Sequence, residues 1–230
     1  MPTLMTKPTF DMLTAVWLDL AAHTDSERIG PSNIFVPWAG EKLLTRSRGL
    51  YYVGIAINAE IADGAQSFEA GLQSTEAFCR ELSLGHTPFW SFLNELTLKI
   101  LGRSYNKSQD LWGWSNLLKI AGTAGSPRAW PLGLIERQLP ACITALKEEI
   151  AQLRDSLIVV ASSDDYGILP QVVAEESHWD KERRPGGSYH LHDPVSGNIF
   201  VPRPRNDAGK ELGAPRAIPL SNYIELPTGG

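Results

Sequence analysis

Two short runs of almost uninterrupted apolar residues constrain the fold of this chain more than any other feature. They span residues 50–57 (LYYVGIAI) and 157–161 (LIVVA). A strand covered by helices on both faces has this continuous apolar character, whereas a strand with one solvated face alternates apolar and polar residues. Both runs therefore predict buried central strands. A polar segment follows each of them, at 58–64 and at 162–165.

Segments with helical patterning alternate with the predicted strands. They span 8–24, 66–82, 88–102 and 132–153. A further, Trp-rich strand is predicted over 110–115 and ends in Asn116. Strands that alternate with helices imply crossover connections and parallel pairing. We therefore predict an α/β fold, with three layers (α/β/α) around a central, mostly parallel, four-stranded sheet.

The two ends of the chain differ from this alternating centre. Residues from 1 to about 48 are predicted to form a helical extension, in which 25–49 is loop-like because glycines and prolines interrupt it. Residues from about 176 to 230 are predicted to be irregular, except for a hairpin with arms at 189–194 and 198–202. We expect one domain over all 230 residues.

Composition excludes several functional classes. A hydrophobic share of 43% in 230 residues is enough for one substantial core. The net charge of −5 argues against a protein that grips nucleic acid with its whole surface, so any such contact requires a local basic patch. The two cysteines have no partners at metal-ligand spacing, and no cofactor fingerprint follows a strand. We expect no metal, no cofactor, no membrane segment and a cytoplasmic location.

The predicted fold points to one edge of the sheet as the place for a ligand. In open α/β sheets, ligands bind beyond the carboxyl ends of the strands. The segments that fall there are 58–63, 115–119 and 162–165. A small-molecule enzyme that uses Asp164 or Asp165 is one hypothesis for such an edge.

Four local features resemble the uracil-DNA glycosylase superfamily. They are the strand with its glycine and final asparagine (VGIAIN, 53–58), the helix PFWSFLNEL (88–96), the segment WGWSNLLK (112–119), and a long helix feeding a buried strand (148–161). Together they cover roughly residues 50–205 in the order that the superfamily uses. The resemblance implies a pocket for a base that is flipped out of DNA.

The resemblance also implies roles for particular residues. Asn58 and Glu60 would orient the attacking water, Phe89 would stack on the base, and Asn116 would read the base edge. Two of these residues have plainer interpretations, because Asn116 could instead cap a following helix and Phe89 could belong to the core. The arginines that could contact DNA phosphates are Arg183, Arg184, Arg203 and Arg205.

The last motif of the superfamily departs most from the pattern. It begins with a His-Pro pair, and this sequence contains none. His192 could replace it as a catalytic residue, or the second arm of the hairpin could deliver Arg203 to that position. Both alternatives stay open on spacing alone.

Two functional hypotheses follow from the resemblance. The first is a divergent glycosylase that hydrolyses the N-glycosidic bond of a flipped base in DNA. The second is a catalytically inactive relative that still binds nucleic acid or nucleotides. The first motif lacks the usual Pro-Tyr-His or Asn-Pro-Gly ending of the superfamily. This departure and the missing His-Pro pair favour the second hypothesis, so the enzymatic assignment stays open.

Overall fold

A computed structural model describes twelve segments of the chain. They are residues 3–23, 30–45, 49–55, 67–81, 88–104, 107–123, 130–160, 169–172, 178–180, 190–192, 196 and 198–202. All statements below concern these residues.

Six helices lie in the described segments. They are α1 (Lys7–Ala22), α2 (Glu41–Thr45), α3 (Phe68–Glu81), α4 (Pro88–Leu101), α5 (Leu132–Ala151) and α6 (Leu169–Val172). The Thr6 side chain caps α1 by accepting a hydrogen bond from the Thr9 amide, and Pro8 fits the first turn because it has no amide to satisfy. None of the helices described is both long and apolar enough to cross a membrane.

The described strands form two sheets. The strands are β1 (Pro31–Ile34), β2 (Trp38–Ala39), β3 (Leu50–Gly54), β4 (Trp112–Asn116), β5 (Ile120–Gly122), β6 (Leu157–Val160), β7 (His178–Asp180), β8 (His190–His192) and β9 (Ile199–Pro202). Strands β1 and β5 pair with each other, and the other seven follow the order β2-β4-β3-β6-β9-β8-β7. The chain thus mixes helices and strands, as the sequence predicts.

The larger sheet contains both parallel and antiparallel pairs. Strand β3 is parallel to β4 and to β6, and β6 is parallel to β9. Antiparallel pairs flank them, with β2 beside β4 on one side and β8 and β7 beyond β9 on the other. The carboxyl ends of β4, β3, β6 and β9 consequently lie at one edge of the sheet, which we call the carboxyl edge. The opposite edge is called the amino edge.

Helices pack on both faces of the sheet, and alternate residues of β3 show which face is which. Tyr51 and Val53 belong to one apolar cluster, which includes residues of α1 and α5. Leu50 and Tyr52 belong to a second cluster, which includes residues of α3 and α4. Because side chains alternate along a strand, burial on both faces explains the continuous apolar run from which this strand was predicted.

The structure corrects two secondary-structure predictions. The loop predicted over 25–49 contains β1, β2 and α2, and β2 belongs to the larger sheet. In the C-terminal segment the predicted hairpin is confirmed as β8 and β9, but β7 also lies in the part that was expected to be irregular. Strands of two to four residues are too short for a periodic pattern, and the partners of β1 and β2 are distant in the chain.

Candidate functional site

The register of the parallel strands brings Gly54 and Asn116 together at the carboxyl edge. Val53 pairs with Ser115, and Gly54 pairs with Asn116. On the other side of β3, Val53 pairs with Val160, the last residue of β6. The edge that the sequence indicates for a ligand is therefore built from the ends of three neighbouring strands.

Asn116 is a buried amide at the end of β4. Only 1% of the residue is exposed, and its Nδ2 has no hydrogen-bond partner among the residues described. A buried amide donor without a partner carries a desolvation cost of about 1–3 kcal/mol. The next element is strand β5 rather than a helix, so the helix-capping interpretation of Asn116 is wrong. Its unused donor makes Asn116 a candidate for contact with a ligand.

Gly54 lets the Asn116 amide approach β3 closely. A Cβ built at Gly54 would collide with Oδ1 of Asn116. A glycine at this position of the strand therefore marks a close approach between a side chain and the backbone. The first-motif glycine and the base-reading asparagine of the resemblance are thus neighbours in space.

A cluster of four polar side chains lies on the face of the sheet that packs against α5, at the turn that follows β4. Its members are Tyr51, Ser115, Lys119 and Glu149. Oε2 of Glu149 accepts hydrogen bonds from the Tyr51 hydroxyl at 2.8 Å and from Ser115 Oγ at 2.6 Å. Lys119 donates to Ser115, and its Nζ lies 2.5 Å from Oε1 of Glu149. We call these four residues the buried polar cluster.

The buried polar cluster is closed to solvent. The side chains of Lys119 and Glu149 are both fully buried. Burial, followed by the nearby charge of Glu149, raises the pKa of Tyr51 well above its ordinary value, so this hydroxyl stays protonated as a donor. Ser115 itself is also fully buried. Among the described residues, the arrangement holds charges in place and connects β4 to α5, as a supporting structure would.

Gln138 of α5 provides another buried polar contact below the same turn. Its Oε1 accepts from the Ile120 amide at 2.9 Å, and its Nε2 donates to the Ile120 carbonyl at 3.2 Å. The Gln138 side chain thus satisfies both backbone groups of Ile120, as a neighbouring strand would do. Helix α5 thus holds this part of the chain at Lys119 and at Ile120.

Sequence reasoning missed the buried polar cluster, although two signals were present. Lys119 interrupts the apolar run Leu117, Leu118, Ile120, Ala121. Glu149 lies on the apolar stripe of α5, three residues after Leu146 and four before Leu153. A charged residue on each of two apolar surfaces indicates a buried pair, since isolated buried charges are costly.

His192 does not join Asn116 at the carboxyl edge. In the hairpin it pairs with Ile199, and Ile199 pairs with Leu157 at the start of β6. The register therefore places His192 at the amino edge, with β9, β6 and β3 between its strand and β4. The second arm of the hairpin, β9, runs from Ile199 to Pro202, and Pro202 pairs with Val160 at the carboxyl edge.

Most of the other predicted site residues lie outside the described part of the chain. This applies to Asn58, Glu60, Asp164, Asp165, Arg183, Arg184, Arg203 and Arg205. Phe89 is the second residue of α4, a helix whose Leu93 and Leu96 belong to the second apolar cluster. Trp112 and Trp114 are buried in that second apolar cluster.

A surface cleft of about 190 Å³ lies between β2, α3 and the 3₁₀ turn Gln109–Leu111. It adjoins the amino end of β4. Three of the charged groups that line it are already paired, because Arg80 contacts Glu76 at 2.8 Å and Asp110 contacts Lys42 at 2.8 Å. Across the described segments, no three His, Cys, Asp or Glu side chains come together to hold a metal ion. We therefore place the candidate site at the carboxyl edge.

No protein-family model matches this chain, and no curated protein matches it.

Proposed function

We propose that the chain binds a nucleobase in DNA at the carboxyl edge, as a divergent member of the uracil-DNA glycosylase-like superfamily. The proposal includes the superfamily architecture, three layers around a mostly parallel four-stranded centre. One observation carries the functional part, the buried Asn116 amide, whose Nδ2 donor has no hydrogen-bond partner in the part of the chain that the structure describes. A carboxamide offers a donor beside an acceptor, which matches the acceptor and donor on the edge of uracil.

The direction of the hairpin supports Arg203 over His192 as the last-motif residue. Pro202 ends β9 at the carboxyl edge, and Arg203 is the next residue of the chain. An arginine near this edge would stabilise negative charge that develops on a departing base. It would also contact phosphates, together with Arg205 and the pair Arg183 and Arg184, despite the net charge of −5.

The proposed reaction is hydrolysis of the N-glycosidic bond. Water, oriented by Asn58 or Glu60, forms a bond to the anomeric carbon of the sugar as the bond from that carbon to the base breaks. The electron pair leaves with the base, which takes up a proton, and an abasic site remains. Phe89 would stack on the base while Asn116 holds its edge.

The direct test uses labelled oligonucleotides that carry uracil or another modified base, in single and double strands. Abasic sites are detected by strand cleavage in alkali, and binding is measured by fluorescence anisotropy. We expect wild-type protein to bind uracil-containing DNA. Asn116→Ala should weaken this binding by about tenfold or more, because the loss of one hydrogen-bonding partner in a site built for such bonds lowers affinity strongly. Absence of base-dependent binding in wild-type protein would sink the proposal.

Matched variants separate the site from general damage. Asn198 is another buried asparagine, but it lies at the amino edge and its amide is satisfied by the Ser156 amide and the Leu153 carbonyl. Asn198→Ala should lower stability without changing the preference for uracil. Arg154 precedes β6 and lies at the amino edge, so Arg154→Ala should bind DNA with normal affinity. Arg203→Ala should bind DNA more weakly, and its affinity should depend less steeply on salt concentration.

The second candidate function is a non-catalytic binder. The absence of a His-Pro pair from the sequence favours it, because that pair begins the last motif of the superfamily. Base-dependent binding without abasic product, in every strand context tested, would select this function. Abasic product that disappears in Asn116→Ala would select the glycosylase.

A further inference from the structure

The Lys119 side chain closes the turn that carries Asn116. It reaches back four residues to donate to Ser115, the residue before Asn116, while its Nζ lies 2.5 Å from Glu149 on α5. The backbone of the same turn is tied to β3, because the Leu117 amide donates to the Gly54 carbonyl at 2.8 Å and the Leu118 amide donates to Ile55 at 2.8 Å. The ammonium thus joins the end of β4, the turn and α5.

Contacts of the Lys119 backbone reinforce this arrangement. Its carbonyl accepts from the Phe35 amide at 2.7 Å, and its amide donates to Sγ of Cys142 at 3.2 Å. The residue is therefore held at its backbone from both sides and at its side chain by Ser115 and Glu149. Few orientations of the turn are compatible with all of these contacts.

Stability alone gives no reason for a buried ion pair at this place. Removing two charges from water costs several kcal/mol per ion, and the attraction between them offsets that cost only in good geometry. Two apolar side chains of similar volume would attach α5 to the sheet at least as well. An ion pair differs from apolar packing because it is satisfied in one geometry only.

We propose that Lys119 and Glu149 are positioning residues that fix the turn 115–119 and so set the orientation of the Asn116 amide towards its ligand. This inference rests on the proposed function and deepens it, because it concerns the same site. The pair acts through Ser115 and the backbone and does not touch the base. The ligand class remains a base edge with an acceptor beside a donor, as in uracil.

The test compares wild-type protein with the double variant Lys119→Met/Glu149→Leu, which replaces both charges by apolar groups of similar length. The first readout is the pair of side-chain amide signals of Asn116 in ¹⁵N-labelled, ligand-free protein, assigned with Asn116→Asp. The amide of Asn198 is the internal control. We expect the Asn116 signals to shift or broaden while those of Asn198 stay unchanged, in a protein that still unfolds cooperatively.

The second readout is affinity for uracil-containing DNA. We expect the folded double variant to bind about tenfold more weakly or worse, because small displacements of a positioned group have effects of this size. Unchanged Asn116 signals with unchanged affinity would overturn the positioning role and leave a structural pair. If the double variant does not fold, Ser115→Ala replaces it in the test, because this substitution removes only the hydroxyl group that accepts the hydrogen bond from Lys119. Shifted Asn116 signals in Ser115→Ala would support the positioning role, and unshifted signals would overturn it.

The two proposals fail in different ways. The amide signals are measured without ligand, so they test the positioning role even if wild-type protein binds no DNA. Absence of DNA binding would overturn only the proposed function. If wild-type protein binds DNA, and the double variant binds equally well with unshifted Asn116 signals, the proposed function is supported and the positioning role is overturned.

Discussion

Gly54 lies opposite Asn116 in the parallel pairing of β3 and β4, and Oδ1 of Asn116 occupies the space that a Cβ at Gly54 would need. Asn116 is buried, so its amide has little room to move away. The absence of a side chain at one residue thus determines where the functional group of the other can lie. A substitution at Gly54 should therefore act on the site through Asn116.

Gly54→Ala should displace the Asn116 amide. We expect it to destabilise the protein by about 1–3 kcal/mol, the usual cost of overpacking, and to weaken binding of uracil-containing DNA. Urea unfolding and fluorescence anisotropy measure the two effects. Gly133→Ala is the control, because Gly133 is exposed in the first turn of α5 and no atom lies within 4 Å of its Cβ position. Equal behaviour of the two variants would contradict the prediction.

Breaking the buried ion pair on one side should be costly. Lys119→Met leaves the Glu149 carboxylate buried without its cation, and we expect a loss of about 3–5 kcal/mol in the free energy of unfolding. Lys119→Met/Glu149→Leu should recover much of that loss, because no charge stays buried. Lys42→Met removes the exposed pair with Asp110 and should cost less than about 1 kcal/mol. A double variant whose loss equals the sum of the single losses would refute this account.

Gln138→Leu should leave both backbone groups of Ile120 without their side-chain partner. Each unsatisfied buried group costs about 1–3 kcal/mol, so we expect a clear fall in the urea midpoint with little change in the slope of the transition. Gln109→Ala is a suitable control, since the Gln109 amide makes its hydrogen bond to the Arg80 carbonyl at the exposed surface. Equal midpoints for these two variants would show that Gln138 does not support β5.

The Cys142 thiol should make stability fall in alkali. Burial raises the pKa of Cys142 from its ordinary 9.0 to about 12. The unfolded chain therefore loses this proton at lower pH than the folded protein does. The stabilisation is complete below about 9 and is lost as the pH rises towards about 12. Urea unfolding across this range should show a shallower decline in Cys142→Ala than in wild-type protein.

Both cysteines should also be unreactive in the folded state. Cys79 and Cys142 are both buried, and burial raises the pKa of the Cys79 thiol as well. A thiol-specific disulfide reagent at a pH of about 8 should label neither until urea unfolds the chain, because the thiolate is the reactive form. Rapid labelling of either thiol in native protein would contradict the burial described for it.

The sequence predicted the long elements well and the short ones poorly. Residues 50–54 and 157–160 carry their own signal, since a strand covered on both faces must be apolar throughout. Strand β4 and its end at Asn116 were predicted from local pattern, whereas the choice of Asn116 as a contact for a ligand came from the resemblance to the glycosylase superfamily. Strands β2 and β5 escaped prediction because two or three residues contain no period, and their pairing depends on distant segments.

What the sequence determined by itself is therefore the set of long helices and strands, together with the polar residue that ends β4. Only the tertiary structure decided which residues meet. The register of the hairpin directs Pro202, and not His192, to the edge where Asn116 lies. Packing of α5 on the sheet brings Glu149 to Lys119, thirty residues earlier in the chain. Local pattern reflects which side chains are buried, whereas register and packing depend on contacts between segments that are far apart in sequence.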